Sequence, residues 1–147
     1  MAVTSAGSRK TTRVPALVAL TTLAASIALA AEWPTFTPGR WTFERTMSGP
    51  GSKSDKVSRT ECADPTADQK EQQGMLAKAG CVFTPLTRTG ETYRYSATCK
   101  MAGMTTRSDS VLEAEGPEAY TITIDSTADG TRTHEVLRAR RIGDCAK

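Results

Sequence analysis

The chain has 147 residues, 38% of them hydrophobic and 24% charged, with 19 basic residues, 16 acidic ones, one histidine and four cysteines. That is one domain's length, with room for only a modest core. Three of the basic residues, Arg9, Lys10 and Arg13, precede the first acidic residue, Glu32, so the chain beyond residue 30 is neutral, which gives electrostatics no reason to name nucleic acid or an acidic polymer as partner.

The first 30 residues read as a secretory signal peptide. A positive start is followed by the apolar run Val14–Ala30, which ends in Ala28-Leu29-Ala30, small residues where a signal peptidase reads. Cleavage is expected between Ala30 and Ala31. The alternative, a retained anchor, is disfavoured because Thr21, Thr22 and Ser26 dilute a run already short for a spanning helix. Arg9-Lys10 leads into Thr11 rather than a full twin-arginine pattern, which favours the general secretion route. No cysteine follows the cut to take a lipid, and nothing after Ala31 is apolar enough to span a bilayer. The expected location is periplasmic or secreted, and the exported part is a single domain over residues 31–147.

That part opens with an extended lead-in holding Pro34 and Pro38. Trp41, Phe43 and Met47 then alternate with polar residues as on a half-buried strand. A loop at Ser48–Ser52 leads to a weaker strand, Lys56–Cys62. Asp64-Pro65 starts a short helix over 65–79, stopped by Gly80. Strands follow at Val82–Leu86 and Thr92–Thr98 around Thr89-Gly90, then at Thr105–Ala114 and Tyr120–Thr127, and finally at Arg132–Arg141 after Asp129-Gly130, the strongest hairpin signal in the chain. The fold class is mainly β. We expect an antiparallel meander of six or seven strands, curved or barrel-like, with the one helix covering a face.

Four cysteines in an exported chain read as two disulfides. Cys81 and Cys99 lie symmetrically about Gly90, so a three-residue turn centred there makes them face each other. That leaves Cys62 to pair with Cys145. The main rival pairing, Cys62–Cys81 with Cys99–Cys145, would bridge the two ends of the helix, farther apart than a disulfide reaches. The cysteines lack the close C-x₂-C pairs of a zinc site, and no metal or other cofactor is expected.

Pro38-Gly39-Arg40-Trp41 at the first strand, the four cysteines in this order, and the ending Arg140-Arg141-Ile142-Gly143-Asp144-Cys145 together resemble the bacterial exported "domain of unknown function 3617" family, over about residues 37–145. Two departures stand out. Ala139 occupies a position where the family often has Gly, and only Met47-Ser48-Gly49-Pro50-Gly51 remains of the Met-Pro-Gly repeats of its first hairpin. The resemblance implies export and a mainly β domain; it carries no activity, so no catalytic residue can be transferred.

Four groups of side chains are candidates for chemistry. His134, with Asp125, Ser126 and Asp129 near it in sequence, has the residue types of a hydrolase but no G-x-S-x-G elbow, and is expected to be a solvated strand-end residue. Arg138, Arg140 and Arg141 offer an anion site, against pairing with Glu113 and Glu115. Met101 and Met104, beside Cys99, are thioethers for Cu(I), but two make a thin site. Trp33, Phe36, Trp41 and Phe43 build either core or a pocket for a small apolar ligand. With no catalytic set, the expected function is a non-enzymatic binding or structural protein of the cell envelope, its partner an envelope protein or a small apolar ligand. An enzyme or a metal or redox protein is the alternative.

Overall fold

A computed structural model describes residues 30–51 and 54–146. The body of the expected signal peptide, residues 1–29, lies outside the described residues, while Ala30 and Ala31 begin them.

The strands are β1 (Gly39–Ser48), β2 (Asp55–Ala63), β3 (Cys81–Phe83), β4 (Thr87–Thr89), β5 (Thr92–Met101), β6 (Met104–Ala114), β7 (Ala119–Ala128) and β8 (Thr131–Gly143), with one helix, α1 (Pro65–Lys78). All pairings are antiparallel and build one eight-stranded sheet, ordered β2-β1-β8-β7-β6-β5-β3, with β4 also on β5. The chain is therefore a meander from β5 to β8, to which the first hairpin is added by pairing β1 with β8. β2 and β3 do not pair with each other, so the sheet is open; the barrel-like variant of the expectation does not hold. The expected Val82–Leu86 strand ends at Phe83 as β3, and a further short strand, β4, follows at Thr87–Thr89, which raises the count to eight.

The hairpin turns follow local chemistry. Ala102 (φ 50°) and Gly103 join β5 to β6, and Asp129 (φ 47°) and Gly130 join β7 to β8, both with the left-handed pair that a type I′ turn requires. The β4–β5 turn is Gly90-Glu91, with Thr89 opposite Thr92, so it has two residues rather than three. Cys81 nevertheless faces Cys99. Three residues, Thr84–Leu86, oppose two, Tyr95 and Ser96, and this extra residue shifts the register by one. Pro85 cannot donate to the ladder and falls in this gap. The bridges are Cys81–Cys99 and Cys62–Cys145.

Trp41, Phe43, Leu112, Tyr120, Ile122 and Tyr93 lie on one face of the sheet and form the core with Phe36, Leu86 and Ala139. The lead-in crosses this face. Ala31 N–H donates to Leu86 O at 2.8 Å, Trp33 packs edge-on against Tyr95, and Phe36 is buried against Trp41 and Tyr120. α1 lies on the same side. The Thr66 hydroxyl accepts from Phe36 N–H and donates to Pro34 O, fixing the helix start to the lead-in. Asp64 caps the helix through Ala67 N–H at 3.1 Å, and Gly80 follows its end.

Candidate binding groove

A helix that covers a sheet normally presents leucines to it. Gln69, Gln72, Gln73 and Leu76 recur at i, i+3, i+4 and i+7, which puts them on one stripe of α1. All four line a groove of about 230 Å³ over the sheet, and Pro65 is the only fully buried residue of the helix. Across the groove, the registered row Ala97–Ser108–Ser126, with Ser110 between Tyr95 and Ile124 in the next row, supplies small side chains where a filled interface would carry large ones. Trp33 and Phe83 flank Tyr95, with ring centroids 5.3 and 6.3 Å away. The hollow thus comes from sequence: glutamines on one wall and serines and alanine on the other leave volume that the aromatics only border.

Beyond Glu135 and Gln72, which line both spaces, a second hollow of about 340 Å³ continues between Phe43, Met47, Val57 and Leu137. At this junction Arg45 donates through Nε and Nη2 to both oxygens of Glu135 at 2.6 Å. The bond to Glu135 raises the Arg45 guanidinium pKa further, against an opposing effect of burial. Burial raises the Tyr95 phenol pKa, opposed by its hydrogen bond with Ser110. The groove is therefore amphipathic, with aromatic and aliphatic walls, neutral amide and hydroxyl groups along its length, the Arg45–Glu135 ion pair at the bend, and Arg59, paired with Glu61 and lying over Phe43, in its continuation.

Of the aromatics singled out in the sequence, Phe36, Trp41 and Phe43 are core and Trp33 reaches the groove. His134 lies on the opposite face of the sheet, half-exposed. Its Nδ1 is 2.7 Å from Asp125 Oδ1, directly across the β7–β8 pair. Ser126 points to the groove side, away from His134, and Asp129 is in the turn. The hydroxyl of Ser48, its β1 partner, donates to the backbone oxygen of His134 at 3.4 Å, not to the ring. Arg141 turns inward, 14% exposed, and holds Pro38 O, Glu118 and Asp144. Of the expected pairings of this cluster with Glu113 and Glu115, Arg140 reaches Glu115 at 4.0 Å, and none to Glu113 forms among the described residues. Met101 and Met104 face each other across the Ala102-Gly103 turn, both exposed.

The glutamine stripe and the serine floor were not candidates from sequence. The signal for the stripe was available: a helix with glutamine at three of the four positions that face the sheet. A larger hollow, about 600 Å³, opens beside Thr84–Thr87, but Ala30 forms part of its wall, and the expected cut removes Ala30.

No curated protein and no solved structure gives a significant match to the chain. Residues 36–145 match the family model described as "Protein of unknown function (DUF3617)". The two segments that carried the resemblance meet in the fold, where Arg141 binds the Pro38 carbonyl beside Gly39. With its strands, helix and both bridges inside or at the limits of the matched span, the chain belongs to the domain of unknown function 3617 family.

Proposed function

We propose that the exported domain is a non-enzymatic binding protein of the bacterial periplasm, and that the groove under α1 takes one small, largely apolar ligand bearing a neutral hydrogen-bonding group. The observation that carries this reading is the Gln69, Gln72, Gln73 and Leu76 stripe opposite the Ala97–Ser108–Ser126 row. Two surfaces that would bury each other in an ordinary core are polar and small here. The hollow between them, about 230 Å³, is smaller than most ligand pockets and reaches their size only with the continuation of about 340 Å³ beyond Glu135. Aromatic walls supply apolar contact, and amides and hydroxyls fix orientation. Two disulfides suit the oxidising compartment to which the leader is expected to send the chain. No helix among the described residues is long and apolar enough to cross a membrane. Against catalysis, His134 and the groove lie on opposite sides of the sheet, so the one imidazole in the chain has no part in a bound ligand's chemistry.

The test is to purify the protein from its own envelope and weigh it under native conditions. A bound small molecule, released on mild extraction and absent when Ser108→Leu/Ser126→Leu fills the groove, is the expected result. A ligand that survives this replacement would place the binding site elsewhere.

A further inference from the structure

The second face of the sheet carries no helix, and its charge differs from that of the chain. Register and alternation turn Arg94, Arg107, Arg132, Arg138 and Arg140 toward it, all exposed. Its strand carboxylates are Glu44, Asp109, Glu113 and Asp125. Three of these are engaged: Glu44 with Lys56 at 3.2 Å, Asp125 with His134 at 2.7 Å, and Asp109 with the Ser96 hydroxyl at 2.5 Å. Arg94, Arg107, Arg132 and Arg138 form no ion pair among the described residues, and Arg140 is 4.0 Å from Glu115. A chain that is neutral beyond its leader thus folds with a basic side, which sequence totals conceal.

We propose that this open face docks the exported protein onto an anionic phospholipid bilayer. The arginines stand on β5, β6 and β8, a two-dimensional array roughly 14 Å across and roughly 26 Å along the strands. That is too broad for one small anion, and it is spread over a surface rather than drawn out in the single track a polymer would follow. Guanidinium groups grip phosphate oxygens through paired N–H donors. Arg138 and Arg140 border a hollow of about 350 Å³ whose wall also holds Thr42 and Thr121 and two carboxylates, Glu44, paired with Lys56, and Glu115, 4.0 Å from Arg140, so a headgroup phosphate there meets the arginines and hydroxyls in competition with Glu115. The groove under α1 faces away from the bilayer in this orientation and stays open.

The test uses residues 31–147, which contain the whole core and both bridges, with vesicles of phosphatidylcholine alone and with phosphatidylglycerol added. The protein is expected to sediment with the anionic vesicles only, and to be released by salt. Arg138→Glu/Arg140→Glu should weaken this partitioning about tenfold or more, and Arg94→Glu/Arg107→Glu should act the same way. Lys70→Glu/Lys78→Glu, on the helix side, should leave it unchanged. Far-UV spectra check each fold, with the glutamine pair Arg138→Gln/Arg140→Gln replacing any glutamate pair that unfolds. Absence of binding at low salt, equal loss in the helix-side pair, or capture by a soluble anionic polysaccharide without vesicle binding would each overturn the proposal.

Discussion

Gly39 and Arg141 come from opposite ends of the domain and are fitted to each other. A Cβ at Gly39 would lie 2.6 Å from both Arg141 Nε and the Gly143 carbonyl, so only glycine lets the guanidinium reach Pro38 O while it also holds Glu118 and Asp144. Gly39→Ala is expected to cost about 1–3 kcal/mol, read from the urea midpoint, because backbone as well as side chain must move. Tyr120 makes a second prediction. Burial pushes its phenol up to about 12 from 10.0, with the Gln69 hydrogen bond opposing the shift. As pH rises the unfolded chain gives up this proton first, so stability that is intact below about pH 10 should fall progressively toward pH 12. Tyr95 is shifted in the same direction by burial, so Tyr120→Phe should flatten the decline of the urea midpoint without abolishing it. The alternation of Tyr120, Ile122 and Ile124 is legible in the sequence. The contact of Tyr120 with Gln69 is not, because no local pattern says which helix residue sits above a given strand residue.

Among the elements, those written in local chemistry were readable and those set by distant pairing were not. Asp64-Pro65 and Gly80 bounded α1, and Asp129-Gly130 fixed the last hairpin. The Ala102-Gly103 turn was missed because alanine is an unusual choice at a positive φ, here 50°. The facing of Cys81 and Cys99 was expected from a three-residue turn, and arises instead from a two-residue turn plus one extra residue at Thr84–Leu86. Thr84 stabilises that irregularity, since its hydroxyl accepts from Ser96 N–H at 2.8 Å. The other bridge joins Cys62, at the end of edge strand β2, to Cys145 across 83 positions of sequence. Closing so long a loop should contribute about 4.5 kcal/mol, against about 3 kcal/mol for the bridge of 18 positions. Cys62→Ser/Cys145→Ser should therefore lower stability more than Cys81→Ser/Cys99→Ser. Paired denaturation curves check the order.

At the scale of the molecule, β1 joins β8 and brings the family's two motif segments together, while an open two-layer arrangement leaves one sheet face to the helix and the other to solvent. Neither the basic face nor the groove could be read from the chain, because both depend on which rows lie side by side. Ala31 N–H is hydrogen-bonded to Leu86 O, so the cut expected after Ala30 would leave a terminus already held against the sheet. Intact mass of the exported protein is expected to fit residues 31–147 with both bridges closed; a mass that retains the leader would refute the cut. The central claim, that the space under α1 is a binding site, is tested most directly by the fluorescence of Trp33, which lines the groove while Trp41 is fully buried in the core. In titration with a neutral apolar probe such as Nile red, saturable energy transfer is expected, reduced in Trp33→Phe, where only Trp41 remains as donor, and lost in Ser108→Leu/Ser126→Leu, with far-UV spectra checking each fold. Binding of equal strength in the groove-filled variant, or none in the native protein, would contradict the account.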